Sequence, residues 1–304
     1  MEYRNFGNTD LRVSTICYGT MRYASKSGEY DEQAKAGDTA LREAIDRGVN
    51  FIHSSNEYGT RWLTGRVLES HPKRRELHTD RIAVVQHLQR GEVDRALGYC
   101  AEGEPKRLSD FDSVTEPLTE TFEKLRDRGK VGYLTSFPYT VGFAKRAVES
   151  GSFAGLVAYY NALETEMLDL FDEMKSEGMG FIGIRPFAAG LLTDRRAERS
   201  KLPGDDRMRS DEFERVYDQL DKLRESMSEQ PHSWTDFAIR FSLSHPAITS
   251  TVVGINTPKQ LEDVLQAADA PQVDAATVEA AHRICTDFRS RFGVKAALSG
   301  MPIY

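Results

Sequence analysis

Cysteine is scarce in this sequence, whose 304 residues include only Cys17, Cys100 and Cys285. These cysteines lie far apart, are odd in number and form no Cys-x-x-Cys pair. Such spacing argues against a disulfide framework and against a structural zinc site. It fits a protein of a reducing compartment.

Long apolar runs and a positive net charge are also lacking. No stretch approaches the ~20 consecutive apolar residues that cross a bilayer, so we expect no membrane partner. Residues 1–7 have no apolar run behind their basic residue, and we therefore expect no secretory signal and a cytoplasmic protein. The 47 acidic residues outnumber the 40 basic ones, and the resulting net charge of −7 argues against nucleic acid as a partner.

The sequence does contain a regular alternation of short apolar runs with amphipathic stretches. Residues 15–18 and 49–52 are predicted strands, and residues 38–47 between them place four apolar side chains on one helical face. This alternation indicates parallel strands joined by right-handed crossovers. No Gly-x-Gly-x-x-Gly turn follows the first strand, which disfavours a doubly wound dinucleotide-binding sheet.

The predicted fold is therefore an α/β (β/α)8 TIM barrel, and we expect one domain over residues 1–304 because no linker divides the chain. A long polar region from about residue 210 to 244 is predicted to be helical. In such barrels the chemistry lies on the loops that follow the strands. These loops are predicted to begin at Gly19, His53, Gln86, Thr135, Tyr160, Arg185 and Gly254.

Four segments together resemble the aldo/keto reductase family. They are residues 3–21, which are similar to its amino-terminal β-hairpin and first strand, and residues 48–59, 185–193 and 249–263. The resemblance implies NADPH-dependent reduction of aldehydes and ketones. It also implies a catalytic set of aspartate, tyrosine, lysine and histidine, in which the tyrosine protonates the nascent alkoxide and the lysine lowers its pKa from about 10.

The catalytic set departs from the family pattern. Tyr58 matches the family's proton donor, but His53 stands at the aspartate position and no aligned lysine is found. His87 follows the predicted strand at residues 82–85, where the lysine or the histidine of the family would be expected. The predicted catalytic residues are therefore Tyr58, His87 and His53.

Two placements of His87 remain open at this point. The chain between Tyr58 and Lys130 is about one βα unit short, at roughly thirty residues per unit. In the first alternative, residues 82–85 are the third strand, His87 replaces the lysine and residues 96–100 are a degenerate fourth strand. In the second, an upstream unit is lost and His87 is the histidine of the fourth strand. The sequence distance from Tyr58 to His87 favours the first alternative and the distance from His87 to Gly129 favours the second, which is slightly preferred.

The cofactor segments are better preserved, and the resemblance implies NADP(H). After the last strand a helix begins near Pro258, and the free N–H groups of its amino terminus favour a phosphate. Val157 stands where the family has a glutamine that holds the nicotinamide amide, so this part of the pocket is altered. The predicted cofactor-binding residues are Gly19, Thr20, Met21, Pro186, Phe187, Gly190, Leu191, Arg195, Gly254, Asn256, Thr257, Lys259, Gln260 and Asp263.

Three functions are compatible with these residues. The first is an NADP(H)-dependent oxidoreductase acting on a carbonyl or alcohol of a small molecule, with Tyr58 as proton donor and with His87 and His53 in place of its usual partners. The second is a non-redox lyase, dehydratase or isomerase that uses His53, Tyr58 and His87 for proton transfer. The third is a catalytically silent barrel used for binding or regulation. We expect no metal site, because no third histidine follows a strand. The sequence leaves the substrate and the oligomeric state open.

Overall fold

The structure is a computed structural model of the 304-residue chain and describes residues 1–24, 28–55, 58–74, 77, 82–84, 111–129, 131–138, 140–227 and 229–292. Its strands are β1 (Tyr3–Asn5), β2 (Arg12–Ser14), β3 (Ile16–Gly19), β4 (Phe51–His53), β5 (Ile82–Val84), β6 (Tyr133–Ser136), β7 (Gly155–Tyr159), β8 (Gly180–Ile184) and β9 (Ile248–Gly254). Its α-helices are α1 (Glu32–Asp46), α2 (Arg61–Ser70), α3 (Phe111–Asp127), α4 (Val141–Glu149), α5 (Phe171–Ser176), α6 (Glu214–Ser226), α7 (Trp234–Leu243), α8 (Pro258–Asp269) and α9 (Ala275–Phe292).

Seven of the described strands form one sheet in the order β4-β3-β9-β8-β7-β6-β5. Every neighbouring pair in it is parallel, so the carboxyl ends of all seven strands meet at one edge. The first barrel strand β3 pairs with the last strand β9, as in a barrel, and β4 and β5 are the two end strands of the described sheet. The expected α/β barrel fold is confirmed.

The position of β5 bears on the two placements of the third and fourth strands. Ile82 pairs with Tyr133 and Val84 with Thr135, so β5 lies directly beside β6. This neighbour relation is the one expected in the second alternative, where residues 82–84 belong to the strand before β6. The alternative fourth strand at residues 96–100 lies outside the described residues.

The barrel interior is filled by side chains from facing strands. A buried cluster joins Cys17 of β3, Phe51 of β4, Val157 of β7 and Ile182 of β8, with Val252 of β9 packed against it. Because side chains alternate along a strand, the residues two positions further on face the same interior at its carboxyl-end mouth.

The expected amino-terminal hairpin is confirmed and covers the opposite end of the barrel. β1 and β2 pair antiparallel, and Phe6 in the turn between them is fully buried. Gly155 and Gly180, which are paired on β7 and β8, make room for it. A Cβ atom on Gly180 would lie 2.4 Å from Phe6 Cδ2, and one on Gly155 would lie 2.5 Å from Phe6 Cζ. The two glycines therefore form the seat of the Phe6 ring.

The helices pack outside the sheet through their apolar faces. The face of α1 predicted from the sequence is the buried one, with Ala40, Leu41, Ala44 and Ile45 all 1% exposed or less. Among the described residues, no helix combines the length and the apolar character that a membrane crossing requires.

The region predicted to be helical and polar at residues 210–244 does contain helices, although most residues of the second one are buried. It contains two helices, α6 and α7, separated by a segment with Pro231. Ser233 caps the second helix, because its side chain accepts a hydrogen bond from the backbone N–H of Asp236. α6 ends at Ser226, where Met227 turns to an extended conformation, and the capping serine begins the next helix.

Candidate active site

Three predicted site residues lie side by side at the mouth of the barrel. Gly19 at the end of β3 pairs with His53 on β4 and with Gly254 on β9. On their strands, these residues follow Cys17, Phe51 and Val252 by two positions. Cys17 and Phe51 belong to the interior cluster, and Val252 packs against it. His53 therefore projects its side chain from the inner rim, and Gly254, two strands away, leaves open space at the end of β9.

Tyr58 returns to the end of β4 and meets His53. Its hydroxyl oxygen lies 3.4 Å from His53 Nδ1, and the two ring centres are 5.9 Å apart. The backbone N–H of Tyr58 donates to the Ser55 carbonyl at 3.3 Å, and the ring is half-buried. The carbonyl of His53 in turn accepts hydrogen bonds from the backbone N–H and the hydroxyl of Thr20, at 3.2 and 3.0 Å. A phenol and an imidazole are thus placed together on a fixed rim.

Met21 and His87 are two further predicted site residues. Met21 follows the buried Thr20 and is one of the exposed large apolar side chains, with 39% of its surface accessible. His87, the third predicted catalytic residue, lies outside the described residues. The proximity of His53 and Tyr58 is consequently the part of the catalytic set that geometry supports.

The loop after β8 contains the backbone outliers of the described chain. Its residues Arg185, Ala188 and Ala189 have φ values of +61°, +47° and +57°, and these are the non-glycine residues with positive φ among those described. Gly190 follows with φ of +96°. Such conformations cost of order 1–3 kcal/mol each and are retained where the surrounding structure imposes them, often at ligand sites.

The remaining predicted residues of this loop are placed by packing. Pro186 and Leu191 are buried, and Arg195 is exposed. Phe187 is half-buried and packs against two apolar clusters, one that includes Leu191 and Phe241 and one that includes Tyr18 and Leu261. The loop is fastened by Asp194, which accepts hydrogen bonds from the Ser233 and Thr235 hydroxyls and from the Trp234 N–H, at 2.8, 3.0 and 2.6 Å. Partial burial raises the pKa of Asp194, but these hydrogen bonds outweigh it and hold the pKa below its ordinary value.

The segment after β9 forms a capped helix amino terminus. Thr257 caps α8 by accepting from the Gln260 N–H at 3.2 Å, and the Gln260 side chain accepts from the Asn256 N–H at 2.8 Å. Lys259 Nζ lies 2.6 Å from Asp263 Oδ1 on the exposed side of the helix. A phosphate at this terminus would therefore share Lys259 with Asp263.

These residues fit a phosphate-bearing dinucleotide. A Cβ atom on Gly254 would meet nothing within 4 Å, so the end of β9 leaves open space. Asn256 Oδ1 is buried without a hydrogen-bond partner among the described residues. An acceptor in this position suits the hydroxyl groups of a ribose, and the nearby helix terminus suits a phosphate.

A polar cluster at the ends of β7 and β8 joins Arg185, which was predicted to begin a loop, to Glu164, which was not singled out from the sequence. Arg185 Nη2 lies 3.6 Å from Oε1 of the fully buried Glu164, and its guanidinium carbon is 4.4 Å from the Tyr159 ring centre. Asn161 Nδ2 donates to Glu164 Oε2 at 2.7 Å and to the Arg185 carbonyl at 3.0 Å. Burial raises the pKa of Glu164, although Arg185 and Asn161 act in the opposite direction. The local signal in the sequence was the spacing of Asn161 and Glu164, which lie three residues apart. Their partner Arg185 follows another strand, so this spacing did not predict the cluster.

Tyr160, predicted to begin a functional loop, lies in the core. Its ring is fully buried against Phe171, Phe181 and Phe241. Val157, at the altered amide position, lies in the barrel interior. The aromatic side chain at the rim of β7 is therefore Tyr159.

Known proteins share this architecture and sequence pattern. The model of the Aldo/keto reductase family matches residues 83–284. The chain is 28% identical over 304 residues to the uncharacterized oxidoreductase YrpG of Bacillus subtilis (strain 168), covering 88% of this chain and 91% of that protein. It is 25% identical over 293 residues to L-galactose dehydrogenase of Arabidopsis thaliana, covering 86% of each. The aldo-keto reductase AKR11C1 from Bacillus halodurans (holo form) superposes with a TM-score of 0.68 at 18% identity, covering 93% of this chain and 96% of that one.

Proposed function

The chain belongs to the aldo/keto reductase family, and on that premise we propose that it is an NADP(H)-dependent oxidoreductase that interconverts a carbonyl and an alcohol on a small molecule. Family membership makes it an enzyme of the oxidoreductase type. The main observation that supports carbonyl–alcohol interconversion is the contact between Tyr58 and His53 at the mouth of the barrel.

In this proposal Tyr58 donates the proton to the carbonyl oxygen of the substrate. When bound, the nicotinamide cofactor supplies the hydride to the carbonyl carbon. His53, whose Nδ1 lies 3.4 Å from the Tyr58 hydroxyl oxygen, returns a proton to the phenolate and orients its lone pairs. An imidazole titrates at pH values near neutrality, so it can relay this proton under ordinary conditions.

The cofactor would be held by the three segments that meet along one side of the mouth. Residues Gly19 to Met21 and Gly254 would line the nicotinamide end, and Pro186 to Leu191 with Arg195 would cover the pyrophosphate. Asn256 and Thr257, with Lys259, Gln260 and Asp263, would hold the adenosine and its 2′-phosphate. The open end of β9 at Gly254 and the unpaired Asn256 Oδ1 support this assignment.

The direct test is to titrate the purified chain with NADPH and NADH and then to compare turnover of aldehydes by wild type and by Tyr58→Phe. We expect tighter binding of NADPH, and we expect Tyr58→Phe to lower kcat by about 100-fold or more because general acid catalysis is lost. Tyr30→Phe is the matched control, since the Tyr30 hydroxyl bonds to Asp38 on α1, outside the site.

Two results would contradict the proposal. Absence of NADPH binding at millimolar concentration would exclude the cofactor assignment. Full activity of Tyr58→Phe would exclude Tyr58 as the proton donor while leaving the cofactor assignment intact.

A further inference from the structure

An arginine lies on the inner side of the barrel mouth, among the residues of the proposed site. Tyr159 faces this mouth, because it follows Val157 of the interior cluster by two positions on β7. The guanidinium carbon of Arg185 lies 4.4 Å from the centre of the Tyr159 ring. The positive charge of Arg185 is therefore held over the inner rim, one strand away from Gly254.

The guanidinium has hydrogen-bonding capacity that the described chain does not use. Its Nε and Nη2 atoms are buried without a hydrogen-bond partner among the described residues, and Glu164 Oε1 at 3.6 Å is equally without one. Buried donors of this kind lower stability unless a partner satisfies them. About a fifth of the side chain, 19%, stays exposed, and because Nε and Nη2 are buried, a ligand in the mouth reaches the remaining part of the side chain first.

The backbone at this position supports a requirement for the side chain itself. Arg185 adopts φ of +61°, a conformation that glycine accepts without strain. Its carbonyl is fixed by Asn161 Nδ2 at 3.0 Å, so the residue is held in place in spite of the strain. An arginine in a position that favours glycine indicates that the guanidinium is needed there.

We propose that Arg185 binds a carboxylate on the substrate, so that the enzyme prefers short aldehydes or ketones that carry a carboxylate group. This inference rests on the proposed function. A guanidinium group donates charge-assisted hydrogen bonds to a carboxylate, and these are shorter and stronger than hydrogen bonds between neutral groups. The carbonyl end of such a substrate would lie toward Tyr58, across the glycine-ended strands β3 and β9.

The test compares substrates that differ only in charge. Wild type, Arg185→Lys and Arg185→Met are assayed with NADPH on 4-carboxybenzaldehyde and methyl 4-formylbenzoate, and on 4-oxobutanoate and its methyl ester. We expect the ratio of kcat/KM for the acid to kcat/KM for the ester to be about tenfold or more in wild type, lower in Arg185→Lys and close to one in Arg185→Met. The substitutions should change this ratio through KM rather than through kcat. Arg207→Met, which removes an exposed arginine of the same connecting segment, is the control and should keep the wild-type ratio.

The other possible outcomes contradict either the inference about Arg185 or the proposed function. An unchanged ratio in Arg185→Met overturns the inference, and so does a loss of NADPH affinity that accounts for the whole effect, since the anion bound would then belong to the cofactor. If no aldehyde is reduced, the proposed function fails, and binding of 4-carboxybenzyl alcohol followed by calorimetry still tests the anion site. Binding that Arg185→Met abolishes supports the site, and binding that it leaves unchanged overturns it.

Discussion

Two fully buried tyrosines offer a test of the core in which the same substitution should have opposite effects. The Tyr160 hydroxyl oxygen has no hydrogen-bond partner among the described residues, and burial raises the pKa of this phenol. Its ring packs on Phe241 at 5.7 Å between centres and on Phe171 at 5.6 Å. Tyr160→Phe keeps these ring contacts and removes only the unpaired oxygen.

The expected magnitude follows from the cost of an unsatisfied buried polar group. That cost is about 1–3 kcal/mol, and the small cavity left by one oxygen offsets a few tenths of it. We expect Tyr160→Phe to raise the free energy of unfolding by about 1–2 kcal/mol, which corresponds to roughly 2–8 °C in Tm for a domain of this size. Most core substitutions lower stability, so a gain is a specific outcome.

Tyr18→Phe is the matched control. The Tyr18 hydroxyl donates to the Ile255 carbonyl at 2.8 Å, and both groups are buried. Removing this donor should lower the free energy of unfolding by about 1–2 kcal/mol. Urea titrations of the cofactor-free chain, followed by circular dichroism, measure both variants against wild type. A loss of stability in Tyr160→Phe similar to that in Tyr18→Phe would refute the reasoning, because it would show that the Tyr160 hydroxyl is satisfied.

Two further substitutions test the seat of Phe6 and the fastening of the loop after β8. Gly180→Ala should destabilise the fold by about 2 kcal/mol or more, because its Cβ would overlap the Phe6 ring, whereas Gly65→Ala in α2 meets nothing within 4 Å and should stabilise by about 0.5–1 kcal/mol in thermal melts. Equal effects of the two alanines would contradict the seat. Asp194→Asn should be less stable than wild type at pH 7, and this difference in stability should disappear as the pH falls below about 4. The reason is that a carboxyl group with a lowered pKa stabilises the fold at pH values above its ordinary pKa and no longer does so once it is protonated. A Tm difference that stays constant from pH 3 to 7 would show that Asp194 does not carry it.

Local patterns were sufficient for most of the barrel. The strands that run into His53 and Gly254 were predicted from apolar runs, and α1 from its periodic buried face. Tyr58 and His53 are five residues apart across a strand end, so their proximity could be predicted as well. The helical region at residues 210–244 was predicted without its division into α6 and α7, although Ser233 is a typical residue for the start of the second helix.

Contacts between distant parts of the chain could not be predicted in the same way. Arg185 meets Glu164 only because β7 and β8 are neighbours, and neither residue belongs to a periodic pattern. Asp194 is fastened to the start of α7, about forty residues further along the chain. Tyr160 was predicted at a functional loop because it follows a strand, but its side chain points into the aromatic core instead.

The seat of Phe6 also constrains the order in which the chain can fold. Phe6 is made early in synthesis, whereas the pocket that receives it exists only after residue 180 has been made and β7 has paired with β8. Contacts of such high sequence separation form slowly, because a long loop must close before they contribute. Docking of the hairpin is therefore a late event, and until it occurs Phe6, Leu11 and Val13 remain exposed to chaperones and to other unfolded chains.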